Sequence, residues 1–355
     1  MAFDIKKKLI FSTILLIFST VVALSIAEIS FRVLKKGYGN APHESHRIFH
    51  HVHPAEYRFL SHTPTGEYGG YEIYYDADRL VANPSTIHAK NANSTCRVAF
   101  LGDSFTEAGQ VAYNDSFVGI LERNTDCVLK NYGMSGYSPI FYLLQWKKIV
   151  KEVNPTLVIV QLYSNDVSSD ETYLGIAKKD ENGEVIAIPG PEGNRITNLL
   201  RKSYLMRFLR KVQLQLIWMY ENREKKKDIV AGMVEENPNI TKLSADLIKT
   251  LAREIEASGA QFILTVVPSK FRIANNNIHN QTPQFSDKWR LFSKKNNITF
   301  MDLTKPFEKE AKNDVQLFFD NDIHFNENGH MIVASELSTR YPHLFRAIRI
   351  RLTNR

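Results

Sequence analysis

Arg97-Val-Ala-Phe-Leu-Gly-Asp-Ser-Phe-Thr-Glu107 opens as an apolar run of strand formers and turns polar at Gly102-Asp103-Ser104. A short run of this kind, closed by a turn, reads as a strand buried on both faces, the pattern of a parallel sheet. The residues after the turn can start a helix. Ser104 then sits at the carboxyl end of a strand and the N-terminus of a helix. Open α/β sheets bind ligands there, and nearby backbone N–H groups have no helical partner. A serine in that place also suits a plain helix cap, so other segments have to separate the two readings.

Three segments bear on the choice. Asn131-Tyr-Gly-Met-Ser-Gly136 follows the apolar pair Val128-Leu129. Leu157-Val-Ile-Val-Gln-Leu-Tyr163 is another strand candidate and runs into Ser164-Asn165-Asp166. Near the C-terminus Asp320-Asn-Asp-Ile-His324 precedes Phe-Asn-Glu-Asn-Gly-His330. In chain order these supply a hydroxyl nucleophile, a backbone donor at a glycine, a side-chain amide, and a carboxylate with an imidazole. Together they suffice for acyl transfer, because a serine hydroxyl needs a neighbouring base, and a carboxylate on the far ring nitrogen fixes the tautomer of that base.

On these motifs the chain resembles the SGNH (GDSL-type) hydrolase family over about residues 96–345, with an insertion. The resemblance implies Ser104 as nucleophile and His324 as general base. It also implies an oxyanion hole made by the N–H groups of Ser104 and Gly136 and the amide of Asn165. Two positions depart from the family pattern. Tyr163 stands where the third block usually has Gly, which narrows the cleft beside Asn165. Asn321 stands where an Asp usually precedes the histidine by three residues. Asp322, two before His324, matches the spacing of the branch that includes periplasmic glycan O-acetyltransferases, and is the preferred orienting acid. Asp320, four before, is the alternative. The family also implies an α/β, flavodoxin-like three-layer fold with a five-stranded parallel sheet. Many anchored members begin with an apolar segment like the one found here.

The chain has 355 residues and a formal net charge of +7. Its basic residues are scattered in short clusters such as Lys6-Lys-Lys8 and Lys225-Lys-Lys227. That dispersion suits a membrane surface or a polyanionic envelope and gives no nucleic-acid footprint. No zinc-finger, RNA-binding or phosphate-loop signature is present. Residues 9–27 are uninterrupted by charge and follow three lysines, enough to span a bilayer as a signal anchor. Ser25-Ile-Ala27 also has the small-residue character of a cleavage site. Residues 1–8 are then a cytoplasmic tail, and the rest of the chain is extracytoplasmic, periplasmic in a Gram-negative host.

Cys96 precedes the first sheet strand and Cys127 begins the second, and in a flavodoxin-like order those strands are neighbours. A Cys96–Cys127 disulfide is expected, and it fits an oxidising compartment. Strands are predicted near 97–102, 127–132, 157–163, 262–268 and 299–303, and helices near 105–124, 138–152, 242–258, 285–296 and 326–338. This alternation implies a parallel sheet covered on both faces. Residues 28–95 form a membrane-proximal segment with a strand at Tyr71-Glu-Ile-Tyr-Tyr75. Its five histidines, His43, His46, His50, His51 and His53, read as a solvated loop, since no HExxH spacing or cysteine accompanies them; no metal is assigned. Residues 167–240 are a helical insertion. Within it 195–227 read as basic amphipathic helices that pack on the core, cover the site as a lid, or rest on the membrane. Residues 346–355 are a tail.

The leading expectation is a cofactor-free, membrane-anchored serine esterase acting on O-acyl, chiefly acetyl, groups of envelope glycans or another ester. An O-acyltransferase would share the acyl-Ser104 intermediate, and a membrane acyl-donor protein as partner would favour it. A non-catalytic glycan-binding protein is the rival of another class. No nucleic-acid partner is expected.

Overall fold

The structure, a computed structural model, describes residues 2–34, 43–63, 66–85, 94–192, 200, 202–221, 239–270, 273, 285–348, 350 and 352. The chain starts with helix α1 (Ala2–Val33), whose apolar span is unburied and long enough to cross a membrane. Five short strands follow: β1 (Glu44–His46), β2 (His50–Val52), β3 (Tyr57–His62), β4 (Gly69–Tyr75) and β5 (Val81–Ala82). β1 pairs with β2, and β3, β4 and β5 make a second antiparallel sheet. Strands and helices then alternate as β6 (Arg97–Gly102), α2 (Ser104–Glu107), α3 (Phe117–Glu122), β7 (Val128–Asn131), α4 (Pro139–Gln145), β8 (Leu157–Leu162) and α5 (Asp166–Ile176). A hairpin of β9 (Lys178–Lys179) and β10 (Val185–Ala187) and the helix α6 (Tyr204–Glu221) interrupt the alternation. It resumes with α7 (Lys242–Ala257), β11 (Gln261–Val266), α8 (Phe285–Lys295), β12 (Phe300–Asp302), α9 (Thr304–Ala311) and α10 (Glu327–Arg340).

The central sheet has the order β12-β11-β8-β6-β7, with every neighbouring pair parallel. That is the flavodoxin-like order with helices on both faces. The two faces follow from the period-2 alternation of side chains along each strand. Ala99, Leu101, Val158, Val160 and Leu264 enter one core with α4, α7 and α8. Val98, Phe100, Leu157, Ile159 and Ile263 enter the other with α3, α9 and α10. Every residue of β8 is buried, as a strand covered on both sides requires. Truncating one of these side chains, Leu101 for instance, costs about 2–5 kcal/mol.

Cys96 and Cys127 are joined by a disulfide at the amino ends of the adjacent strands β6 and β7, where Arg97 pairs with Val128. Several sequence expectations need correction. The helix predicted for 105–124 is two short helices, because Ala108 adopts φ 59° and ends α2, and Ser116 caps a fresh start at α3. The insertion carries the β9–β10 hairpin, and Ile188 beside it bridges to Phe49. α6 is not a core helix: among its described side chains none is buried. It packs along the end of α1, where Phe31 stacks on Phe208 with centroids 4.4 Å apart and Glu28 accepts from the Ser203 hydroxyl. Residues 193–199, 201 and 222–238, including Lys225–Lys227, lie outside the described residues.

The histidines of 43–53 do not form a solvated loop. They sit on and beside the β1–β2 pair, which is pressed against the sheet domain. The Tyr137 hydroxyl donates to the carbonyls of Phe49 (3.0 Å) and His51 (2.6 Å), and His53 is only 1 % exposed.

Candidate active site

β6 is an interior strand flanked by β8 and β7, so the turn after it opens at the carboxyl edge between two neighbouring strands. Asp103 caps α2 by accepting the Phe105 N–H at 2.9 Å, and this leaves Ser104 as the first helical residue. Gly102 is required there, since a Cβ would lie 2.0 Å from the Thr106 hydroxyl oxygen. Across the site the loop after α9 brings His324 to the serine. His324 Nε2 is 2.7 Å from Ser104 Oγ, and Nδ1 is 2.5 Å from Asp322 Oδ1. Asp322 Oδ1 also accepts the His324 backbone N–H at 3.0 Å. A carboxylate can only accept, so Nδ1 carries the proton and Nε2 faces the hydroxyl as its acceptor. The structure therefore joins Ser104, His324 and Asp322, residues up to 220 apart in sequence, in one hydrogen-bonded line.

Asp320 does not share that line. It is exposed, its Oδ1 accepts from Gln316 Nε2 at 2.7 Å, and its N–H is held by Glu67. Two residues on, the chain has turned and Asp322 points inward. Burial alone would raise the Asp322 carboxyl, but hydrogen bonds from His324 and Tyr68 and the charge of His324 hold it at about 2.

Gly136 lies in the loop after β7 at φ +82°, a left-handed conformation that favours glycine. The loop is pulled onto α2 from two sides. Asn131 donates to the Thr106 carbonyl at 2.8 Å and accepts the Gly133 N–H at 2.9 Å, and a Cβ on Gly133 would lie 2.4 Å from the Glu107 nitrogen. Glu107 Oε2 accepts both the N–H and the hydroxyl of Ser135 at 2.6 Å. His51 Nε2 is 2.8 Å from the Ser135 carbonyl, and the His51 ring and the Tyr173 hydroxyl oxygen stand 3.9 Å from where a Gly136 side chain would begin. Asn165 follows β8 in the turn that leads into α5, and its Oδ1 is buried with no hydrogen-bond partner. Tyr163, the departure from the expected Gly, packs its ring 4.6 Å from Phe105, which lies 4.7 Å from the His324 ring. It braces the imidazole from behind.

Beneath the serine lie two buried carboxyls. Burial drives Asp103 up to about 6, against the pull of the Phe105 N–H and the His324 charge. Burial and the neighbouring Asp103 push Asp166 well above the ordinary carboxylate range. The pair keeps a proton to higher pH than an ordinary carboxyl would. Asp166 accepts from the Tyr142 hydroxyl at 3.0 Å and from the Tyr163 N–H at 3.1 Å, so it fixes the turn that presents Asn165.

Sequence reasoning missed three supporting groups. Tyr68 donates to Asp322 Oδ2 at 3.0 Å across 254 residues of chain. Lys270 donates to the carbonyls of Phe319 (2.5 Å), Asp320 (2.7 Å) and Asp322 (3.2 Å), clamping the acid loop. Glu107 holds Ser135, as above. Only Glu107 carried a signal, being in the same block as Ser104; nothing local marks Tyr68 or Lys270.

A model of the GDSL-like lipase/acylhydrolase family matches residues 100–332. No curated protein matches the chain. Among solved structures, a catalytic mutant of Axe2, an acetylxylan esterase from Geobacillus stearothermophilus, is similar at 16% identity and a TM-score of 0.42, covering 73% of this chain and 98% of that one. LAE5, an α/β hydrolase enzyme from the metagenome of Lake Arreo, Spain, is similar at 14% identity and a TM-score of 0.40, covering 69% and 94%. The psychrotrophic esterase EstA from Pseudoalteromonas sp. is similar at 15% identity and a TM-score of 0.38, covering 70% and 97%.

Proposed function

The chain belongs to the GDSL-like lipase/acylhydrolase family, and on that premise we propose that it is a membrane-anchored serine esterase that removes acetyl groups from envelope glycans. The observation that carries the reading is the line from Asp322 through His324 to Ser104, with contacts of 2.5 Å and 2.7 Å.

His324 Nε2 takes the Ser104 proton as Oγ attacks the ester carbonyl carbon. Asp322 keeps the ring oriented and stabilises the imidazolium. The carbonyl oxygen becomes an oxyanion that meets the N–H groups of Ser104 and Gly136 and the Asn165 amide. As the tetrahedral species collapses, His324 passes its proton to the departing sugar oxygen and leaves acyl-Ser104. A water molecule, deprotonated by the same imidazole, then releases the acid and restores the serine.

Two observations support the glycan substrate and its place. The Gly136 loop is rimmed by His51 and Tyr173, polar aromatic rings of the kind that suit a hydroxylated ligand. The apolar helix α1 and the Cys96–Cys127 disulfide fit a domain held at the outer face of a membrane. The test is acetate release from O-acetylated envelope polysaccharide by the full chain. Release by the wild type, lost in Ser104→Ala while the circular dichroism spectrum stays unchanged, is expected. Undiminished release by Ser104→Ala would overturn the reading.

A further inference from the structure

Behind the Gly136 loop lies a second cluster of ligating side chains. His43, His53 and Glu107 each offer one ligand atom, and these atoms lie within 4.8 Å of one another. His53 and Glu107 are buried at 1 % and 3 % exposure, unlike the exposed acidic groups that gather on many surfaces.

The His53 ring is left with more acceptors around it than protons. Its Nδ1 is 3.1 Å from the Arg79 carbonyl, which only accepts, so Nδ1 carries the proton. Nε2 of the neutral ring is then a lone pair. It stands 3.1 Å from Glu107 Oε1 yet makes no hydrogen bond of acceptable geometry. Two acceptors this close in a dry site need a cation. A proton on Nε2 would lie along the ring axis, and the carboxylate oxygen is off that axis. A metal ion accommodates the offset, because two donors about 2.1 Å from a tetrahedral zinc lie about 3.4 Å apart. The Nδ1–H bond to a carbonyl is also the second contact that metal-bound imidazoles usually make. The His43 ring supplies another nitrogen, with its centroid 5.8 Å from that of His53. His51 is excluded as a ligand, since Nε2 lies 2.8 Å from the Ser135 carbonyl and Nδ1 lies 2.9 Å from His50 Nδ1.

We propose that His43, His53 and Glu107 bind one divalent cation of the zinc type, through two imidazole nitrogens and Glu107 Oε1, with water completing the shell. Glu107 Oε2 stays on Ser135. The ion therefore fixes, through one carboxylate, the loop that carries Gly136. Two imidazoles and one carboxylate match the borderline ligand preference of zinc and its neighbours, not the all-oxygen preference of calcium or magnesium.

The test needs no substrate, so it stands or falls apart from the esterase reading. The untagged full chain in mild detergent is stripped with chelator and titrated with Co²⁺, then with Zn²⁺. The expected result is one equivalent of Co²⁺ showing tetrahedral visible absorption, displaced by Zn²⁺ and retained in Ser104→Ala. His53→Ala and His43→Ala should each weaken binding at least ~10-fold, the scale on which even outer-shell changes act. If His53→Ala fails to fold, the half-buried His43 decides. An absent band in the wild type, or an undiminished band in His43→Ala, overturns the proposal.

Discussion

The parallel sheet and the antiparallel segment of residues 43–85 meet at Ser104 with different contributions. The sheet presents the groups of the proposed mechanism at or beyond the carboxyl ends of its strands: Ser104 after β6, Gly136 after β7, Asn165 after β8 and His324 beyond β12. The antiparallel segment presents none of them, yet it holds both walls of the site. Glu67 and Tyr68 grip the acid loop at Asp320, Asn321 and Asp322. His51 lies against the Ser135 carbonyl, and Ser61 donates to the Gly109 carbonyl at 2.9 Å. The groups of the proposed mechanism come from positions that any parallel sheet offers to ligands. Their rigidity comes from a second layer wrapped around the edge of that sheet.

If this division is right, damage on the sheet side should far exceed damage on the buttress side. Ser104→Ala should lower kcat/KM by about 10⁴-fold or more, measured with a soluble acetyl ester. Asp322→Asn should cost about 10⁴-fold through the wrong imidazole tautomer. Asp320→Asn, which touches only the rim of the loop, should stay within about twofold, in the range of a surface substitution. Equal losses in the two Asp variants would break the assignment of the orienting acid. Asn165→Ala should lower kcat by about 10²–10³-fold with little change in KM, as loss of one oxyanion donor does.

Tyr68→Phe sharpens the comparison. It removes one hydrogen bond to a carboxylate that His324 still holds, so kcat/KM should fall only about fivefold, the equivalent of about 1 kcal/mol. A loss beyond about 100-fold would mean that Tyr68 itself meets the substrate, and the buttress would no longer be a separate class.

A separate effect is on stability. Burial, with the charge of His324, drives the His330 imidazole down to about 3. An unfolded chain takes up that proton near pH 6.5, while the folded chain refuses it until about pH 3. The unfolded state therefore binds more protons throughout this window, and stability falls as pH drops, by about 1.4 kcal/mol per pH unit. His330→Gln should flatten the fall of Tm between pH 6.5 and pH 4. A wild-type slope left unchanged by the substitution would remove His330 as its source.

The same contrast explains what could be read without coordinates. β6 and β8 are continuous apolar runs that close on polar turns, so strand, turn and Ser104 were legible together. The neighbouring starts of β6 and β7 made the Cys96–Cys127 bridge legible too. The break of the predicted helix at Ala108 was not, because Ser61, from a different sheet, takes the Gly109 carbonyl there. Tyr68 was invisible because its partner lies 254 residues away, and no periodicity encodes such a pairing. The histidines of 43–53 looked solvated because their cover comes from Tyr137, Ser135 and Glu107, all distant in the chain. Local chemistry marked the residues that the structure joins in one hydrogen-bonded line, and tertiary packing chose their supports.

Peptide mapping by mass spectrometry after exposure of the full chain to a fluorophosphonate bears most directly on whether Ser104 and His324 work as one unit. The expected result is a single phosphonyl adduct on Ser104, absent in His324→Ala. An unmodified Ser104 in folded protein that still cleaves acetyl esters, or an adduct on another serine, would contradict it.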